Sequence, residues 1–564
     1  MRRGVALIAV LFITLLLEGV IVGLAMLTVS ELDYVQAEAD YAKAYNNAVS
    51  GMTIAQILVN TSNYDGNNNN VRLLTAYTNN TPLVREPGKF EVWVEKPSGY
   101  PELWYQLHAY GYGGDVTSEI VLRVRMRDYF SRWNIYADNG WVVVDDPNKW
   151  YGRVHVNSYL GFRNRVSGSM TISQSHYRLN GSRTKFILYG SRSYNFVGAQ
   201  FFETVTAAHS TQNSFKDYHE SGGARQAIFY KKPETNVGEI DFPGVGDLHD
   251  KAQWVRQGAT SYTLRRGAST VGKLYIGPRG ISVDRQTSKR ILMYIQFAGY
   301  DASGNARIKF RLLYDGDNDF KSGSTYYAGD SGDTQIWPTS GKWDTRTFSN
   351  AFVVHNEDDI PYLQGNVGGR ITVISEKGEV FITDDIVYVD QDGDPAVSLT
   401  SSGLEENDNY DGDSSLGVIA KKNVYLTNAS NANAYGSATG DDDLLICGAY
   451  ASGVGGSDSD GSVSWLPDGT YVYVWDANGR KHKVDALGTR FDKLAIYGAL
   501  LADGNSATGL AHWKGYTTGS GGAGYGQSFM KYDQRLMTNP PPHYLEVNMP
   551  LYVCLLYTSP SPRD

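Results

Sequence analysis

The alternation of apolar and polar positions divides the chain into two unequal parts. From Val5 to Val29 there are 25 residues with one charge, Glu18. As a helix at about 1.5 Å per residue this run reaches roughly 37 Å, enough for a bilayer core of about 30 Å. The helical pattern continues past Val29. "SELDYVQAEADYAKAYNNAVSGMTIAQILV" is built of helix formers without proline, and it places Leu32, Val35, Ala39, Ala42, Val49, Met52, Ala55 and Leu58 near one stripe. The pattern predicts a single helix over 5–59, apolar all round in its first half and amphipathic in its second. "NTSNYDGNNNN", from Asn60, ends it as a polar breaker. The apolar run is too long for a secretory signal, whose core is about 7–15 residues. Arg2 and Arg3 hold the N-terminus on the cytoplasmic side, which puts everything after Val29 outside.

Beyond a polar linker over 60–88 the period changes. "KFEVWVEK" from Lys89 and "SEIVLRVRMRDYF" from Ser118 alternate as half-buried strands do, and they define a small β region over 89–149. From about Trp150 short apolar runs are punctuated by Gly, Asn and Asp, and two internal repeats emerge. "VISEKGEVFIT" from Val373 matches "VIAKKNVYLT" from Val418 with one residue skipped. "LLICGAYA" from Leu444 matches "LAIYGALLA" from Leu494, keeping Ile446 with Ile496, Gly448 with Gly498 and Ala449 with Ala499. Recurring strands of this kind suit coils that bury their inward side chains on the next rung. The expected fold class is mainly β with a long N-terminal α-helix and a parallel β-helix-like head over 150–553. A β-sandwich is the alternative.

Composition agrees with short strands and tight turns: 61 Gly and 40 Tyr. The net charge of −9, from 51 basic and 60 acidic residues with no basic run after the start, indicates no nucleic-acid partner. Cys447 and Cys554 form neither a CxxC pair nor a metal cluster, so no disulfide framework or zinc site is expected. The last eleven residues, "CLLYTSPSPRD" over 554–564, resemble a translated sequencing-library adapter. Setting them apart as an artefact leaves Cys447 as the native cysteine, a small buried apolar residue.

Gly4, after two arginines and directly before the apolar run, forms with Val5 a junction that resembles a prepilin leader. The stretch is similar to the N-terminal segment of PilX-type minor type IV pilins. That resemblance implies a leader over 1–4, cleavage between Gly4 and Val5 by a prepilin peptidase, storage in the inner membrane, and packing of the helix against other pilins or pseudopilins at the cell surface. Most major pilins carry Glu at the fifth residue after the cut, where Ala9 stands here, and this departure points to a minor or tip subunit. Glu18 has two readings: a carboxylate that meets a polar group of a neighbouring subunit, or a protonated or locally hydrated group that the helix tolerates. "GRVHVN" from Gly152, "GEVFITDDIVYVD" from Gly378 and "YDQRLMTNPPPHY" from Tyr532 resemble landmarks of an uncharacterised β-helical domain of bacterial surface proteins. In the first of them Arg153 and Ser158 stand where that family has proline and glycine.

Candidate chemistry is sparse. "GSGGAG" from Gly519 lacks the strand and helix of a dinucleotide site, and His219-Glu220 lacks the second histidine of a zinc motif. His155 is expected to hydrogen-bond a turn. Alternating carboxylates at Asp315, Asp317 and Asp319, at Asp390, Asp392 and Asp394, and at Asp411 and Asp413 suit either a solvated turn or a structural Ca²⁺. In the first cluster Phe320 and Tyr326 stand where an EF-hand loop needs Gly and Glu. No other cofactor is expected. The function implied is a minor or tip subunit of a pilus or pilin-like assembly with a head for priming, adhesion or aggregation, not an enzyme, and with no ligand specified for the head. The alternatives are a membrane-anchored β-helical adhesin outside any pilus and a β-helical polysaccharide-active enzyme.

Overall fold

The computed structural model describes residues 2–61, 81–95, 104–125 and 129–137, short strands between 141 and 235, residues 242, 245–316, 333–349, 351–401, 403–427, 443–454, 490–503 and 524–546, and short stretches within 321–326, 461–485 and 553–556. The chain is mainly β with one long N-terminal helix, and it forms two compact units. The first comprises 1–127 and 550–564. The second, 128–549, is an insertion in it. The boundary expected at 149/150 therefore falls inside the second unit, because the segment after Arg127 supplies the head's first strand rather than more of the small sheet.

In the first unit, helix α1 (Arg2–Thr61) packs on the antiparallel order β1 (Val84–Glu86), β2 (Phe90–Glu95), β3 (Trp104–Gly113) and β4 (Val116–Arg125). The strands alternate as the sequence predicts: Phe90, Val92, Val94, Leu107, Ala109, Ile120, Leu122 and Val124 are buried. The helix contributes Ala44, Ala48, Met52 and Ala55, while Leu32, Val35, Val49 and Leu58 of the expected stripe are exposed. The cause is close backbone approach. A Cβ on Gly111 would lie 2.0 Å from the Ala44 carbonyl oxygen, and one on Gly113 would lie 2.2 Å from that of Asp40. Contact at this range selects alanines rather than the larger apolar residues. Asn47 Nδ2 donates to the Tyr112 carbonyl at 2.7 Å and fixes the register. Val553–Leu556 adds to the edge of β4, with Cys554 opposite Arg123. Three of its residues belong to the stretch set apart as adapter. An apolar tetrapeptide joins an open edge through its main chain whatever its origin.

The head begins with β5 (Ile135–Ala137), β6 (Val154–Val156) and β7 (Met170–Ile172). Helix α2 (Val245–Arg256) leads to the hairpin of β8 (Thr260–Arg266) and β9 (Ser269–Gly277). Then come β10 (Gly280–Arg285) and the antiparallel β11 (Ile291–Tyr300), β12 (Ala306–Tyr314) and β13 (Asp344–Phe348). The coils follow: β14 (Phe352–Asn356) with β15 (Ile360–Val367), β16 (Arg370–Ser375) with β17 (Val380–Tyr388), β18 (Ser415–Ala420) with β19 (Val424–Leu426), β20 (Leu444–Ser452) with β21 (Val463–Trp465), and the long β22 (Arg490–Ala502).

Successive coils pair in parallel. One face runs β10, β14, β16, β18, β20, β22 and a second runs β11, β15, β17, β19, β21. This is the β-helix-like arrangement and not the sandwich. Both sequence repeats are neighbouring coils in register: Val373 pairs with Val418, Ile382 with Leu426, Ile446 with Ile496 and Gly448 with Gly498. The first face does not end at β22. It continues through β5, β6, β7 and the pair Glu234–Thr235, so the chain joins the stack at its middle, builds to one end, and returns from the other.

Inside the coils, Ile281, Val354, Val373, Val418, Tyr450 and Leu500 form part of one continuous core. The outward side of the first face is also buried. There Val353, Ile374, Ile419, Ala451 and Leu501 pack under Leu248 and Val255 of α2 and under Tyr532, Leu536, Tyr544 and Leu545 of a C-terminal strap.

Candidate functional site: the N-terminal helix and the polar networks of the head

Gly4 and Val5 lie within α1, and Val5, Ala9 and Glu18 are all exposed. The large apolar residues from Val5 to Val35 are 51–71 % exposed on every side of the helix. The described helix is long and apolar enough to span a membrane, and none of its apolar window is buried. A helix apolar all round is at home in lipid or among other helices. Its second half is fixed to the sheet through Ala44, Ala48, Met52 and Ala55, which leaves the first half as a rod presented by a small folded unit.

The acidic clusters separate. Asp315 is buried after β12, and Asp317 and Asp319 lie outside the described residues. Asp390 is buried and closes a turn: its Oδ1 accepts from the Asp392 amide at 3.1 Å and from the Asp394 amide at 2.8 Å, while Asp392 and Asp394 are exposed. Asp411 and Asp413 are exposed. Among the described residues no group of three or more His, Cys, Asp or Glu side chains is disposed to hold a metal ion. His155 is buried on β6, stacked on Tyr136 at 5.5 Å.

Stacking creates two networks that no linear motif announces. Under α2, Arg256 Nε donates to Ser282 Oγ at 3.1 Å, Ser282 Oγ lies 3.0 Å from His355 Nδ1, and His355 Nε2 lies 2.7 Å from Glu376 Oε2. Burial lowers the His355 pKa against the pull of Glu376. Burial also opposes ionisation of Glu376, but the His355 hydrogen bond together with neighbouring positive charge, that of Lys377 included, outweighs it and lowers its pKa. A neutral imidazole therefore donates from Nε2 to a carboxylate and accepts from the serine at Nδ1. The order is that of a nucleophile, base and acid, yet Ser282 and His355 are fully buried and no substrate carbon has a path to the hydroxyl.

At the corner between β14 and β15 charges stack on charges. Arg290 pairs with Asp359 at 2.5 Å, Arg285 with Asp358 at 3.0 Å, and Lys377 with Glu357. Asp358 also accepts from the Ile291 amide at 2.9 Å, but burial raises its pKa to about 7.

The strap carrying "YDQRLMTNPPPHY" is held by specific contacts. Arg535 grips the buried Asp533 through Nε at 2.9 Å and Nη2 at 3.0 Å, with its guanidinium over the rings of Tyr388 and Tyr410. Arg370 donates to the Pro540 carbonyl at 2.9 Å, and Thr372 donates to that of Pro542. Gly417 leaves room for Tyr544, whose ring a Cβ there would meet at 2.4 Å. The strap also binds the start of the head: the Phe130 amide donates to the Leu545 carbonyl at 3.0 Å, and Tyr532 Oη donates to that of Ser131 at 3.0 Å.

No protein-family model matches the chain, and no curated protein matches it. Among solved structures it is similar to the competence-associated pilin ComZ from Thermus thermophilus, at 10% identity and a TM-score of 0.26, over 84% of this chain and 84% of that one. A score that low is no basis for transferring fold or role.

Proposed function

We propose that the chain is a minor or tip subunit of a type IV pilus or pilin-like assembly, of the PilX-type kind that its first residues resemble. A prepilin peptidase cuts after Gly4. The subunit is stored in the inner membrane through Val5–Val29, and α1 then exchanges lipid for the helices of other pilins or pseudopilins. The head of more than 400 residues (128–549) is displayed outside, where it serves priming, adhesion or aggregation. The observation that carries this reading is the contrast along α1: an apolar, exposed first half and a second half fixed to its own sheet by small residues. A plain anchor needs only the first half. A rod held rigidly beyond the membrane suits a subunit whose helix must stay in register with its neighbours.

The head is proposed to act by binding and not by catalysis. The burial of Ser282 and His355 supports this, as does the use of Asp390 in closing a turn. A structural Ca²⁺ at Asp315 or Asp390 and their neighbours remains a proposal that calorimetric titration of Ca²⁺ into the chelator-treated protein would decide. The leader assignment is tested by intact mass and N-terminal sequence after co-expression with a prepilin peptidase. A methylated N-terminus at Val5 is expected, and an unchanged start in the presence of active peptidase would refute it.

A further inference from the structure

The outward side of the second face carries a row of polar side chains that crosses five strands. Thr345 on β13 pairs with Lys309 on β12, Lys309 with Gln296 on β11, and Gln296 with Gln364 on β15. Thr383 Oγ1 on β17 then donates to Gln364 Oε1 at 3.4 Å. The alternate residues on these strands, Phe310, Ile295, Leu363 and Ile382 among them, point into the core. A neighbouring row carries Arg307 and, beyond Ala298, the exposed Asn366.

Several of these groups lack the partners that a purely structural row would supply. Among the described residues Lys309 makes no ion pair or hydrogen bond, Arg307 donates only to the Ala298 carbonyl, and Gln296 Oε1 has no hydrogen-bond partner. The carboxylates near them are engaged elsewhere. Asp301 accepts from the amides of Ser303 and Asn305, and Asp385, past Thr383, accepts from that of Leu445. A half-buried lysine with no ion pair among the described residues, beside an arginine that feels the Asp301 carboxylate without bonding to it, forms a local positive site in a chain of net charge −9.

We propose that this face binds an acidic polysaccharide, with uronate carboxylates on Lys309 and Arg307 and sugar hydroxyls on the exposed Asn366 and the half-buried Gln296; Gln364, buried and bonded at both ends of its amide to Tyr362 and Thr383, only backs the row. Cations meet carboxylates in charge-assisted hydrogen bonds. Amide side chains donate and accept at once, which matches adjacent hydroxyls that do the same. Residues two apart on a strand sit about 7 Å apart and neighbouring strands about 4.8 Å apart, so the two rows offer a grid on the scale of successive sugar rings. A nucleic-acid strand fits less well: two cations neutralise few phosphates, and Tyr294 and Tyr362 in the next row are fully buried, so they offer bases no stacking surface. The site lies in the head alone and does not depend on the filament reading, because binding is read in solution without any filament.

The test is calorimetric or interferometric titration of the full chain in detergent micelles with three probes: an oligogalacturonate, a malto-oligosaccharide of equal length, and a thymidine oligonucleotide. The acidic glycan should bind, the neutral one at least tenfold more weakly. K309Q and R307Q should each lower acidic-glycan affinity by roughly tenfold, the scale of one charge-assisted hydrogen bond. K273Q, which removes an equal charge from exposed Lys273 on β9, should not. Circular dichroism of each variant checks that the head is folded. Absence of glycan binding, equal loss in K273Q, or tighter binding of the oligonucleotide through the same two residues would each overturn the proposal.

Discussion

Gly498→Ala tests the stacked coils where they touch most closely. Gly498 on β22 sits in register on Gly448 of β20, at φ 150°, and a Cβ there would lie 1.8 Å from the Gly448 carbonyl oxygen and 2.7 Å from its carbon. Both obstacles are backbone within a parallel ladder, so neither can swing aside as a side-chain tip could. An L-residue at positive φ costs about 1–2 kcal/mol, and overpacking a buried site costs about 1–3 kcal/mol, which together give a loss of about 2–5 kcal/mol. That is a large part of the roughly 5–15 kcal/mol that holds a domain folded. Gly258→Ala is the comparison. Gly258 is at φ 74° with nothing within 4 Å of the added methyl, so only the backbone strain of about 1–2 kcal/mol applies. Guanidinium denaturation of both variants, followed by tryptophan fluorescence, should give a clearly lower midpoint for Gly498→Ala. Equal midpoints would refute the close stacking of these two coils.

Four other outcomes are expected. Gly111→Val should free the second half of α1 from its sheet, since even a Cβ meets the Ala44 carbonyl at 2.0 Å; hydrogen exchange at 44–55 should rise, and unchanged protection would contradict the packing. Asp358 has a folded pKa of about 7, above its ordinary value of 3.8, so the folded state holds the proton more tightly and stability is lost as pH rises from about 4 through 7. Asp358→Asn should therefore be more stable relative to wild type at pH 8 than at pH 5, and a pH-independent difference would contradict that environment. Burial pushes the Cys447 thiol up to about 12, so peptide mass spectrometry should find it alkylated only after denaturation; rapid labelling of the native chain would be inconsistent with its place in the core. Glu18→Leu should leave membrane insertion intact but lower the amount of protein in sheared filaments if the carboxylate meets a neighbour, whereas unchanged content would mark it as a tolerated residue.

The stacked coils were legible in the sequence because stacking repeats the same demand at the same place. Val373 and Val418 face one core, Gly448 and Gly498 make one backbone contact, and the repeats record it. The apolar reach of α1 and the strands at 90–95 and 116–125 were legible through simple periodicity. The buried stripe of α1 was not. Its partner presents Gly111 and Gly113, and the contact depends on what the sheet lacks rather than on the size of the helix's own apolar residues. The relay of Ser282, His355 and Glu376 was equally hidden, because residues 73 and 21 positions apart meet only once the coils are stacked. The join of β22 to β5 had no local signal either, since it sets residue 500 beside residue 135.

The central claim is that α1 enters a filament core. It is tested by shearing and purifying pili from cells that carry an epitope-tagged chain, then counting its copies against the major subunit by quantitative mass spectrometry, with immunogold labelling for position. A few copies per filament, at an end or at rare intervals, is the predicted result. Complete retention in the membrane fraction, with none in purified filaments, would contradict it.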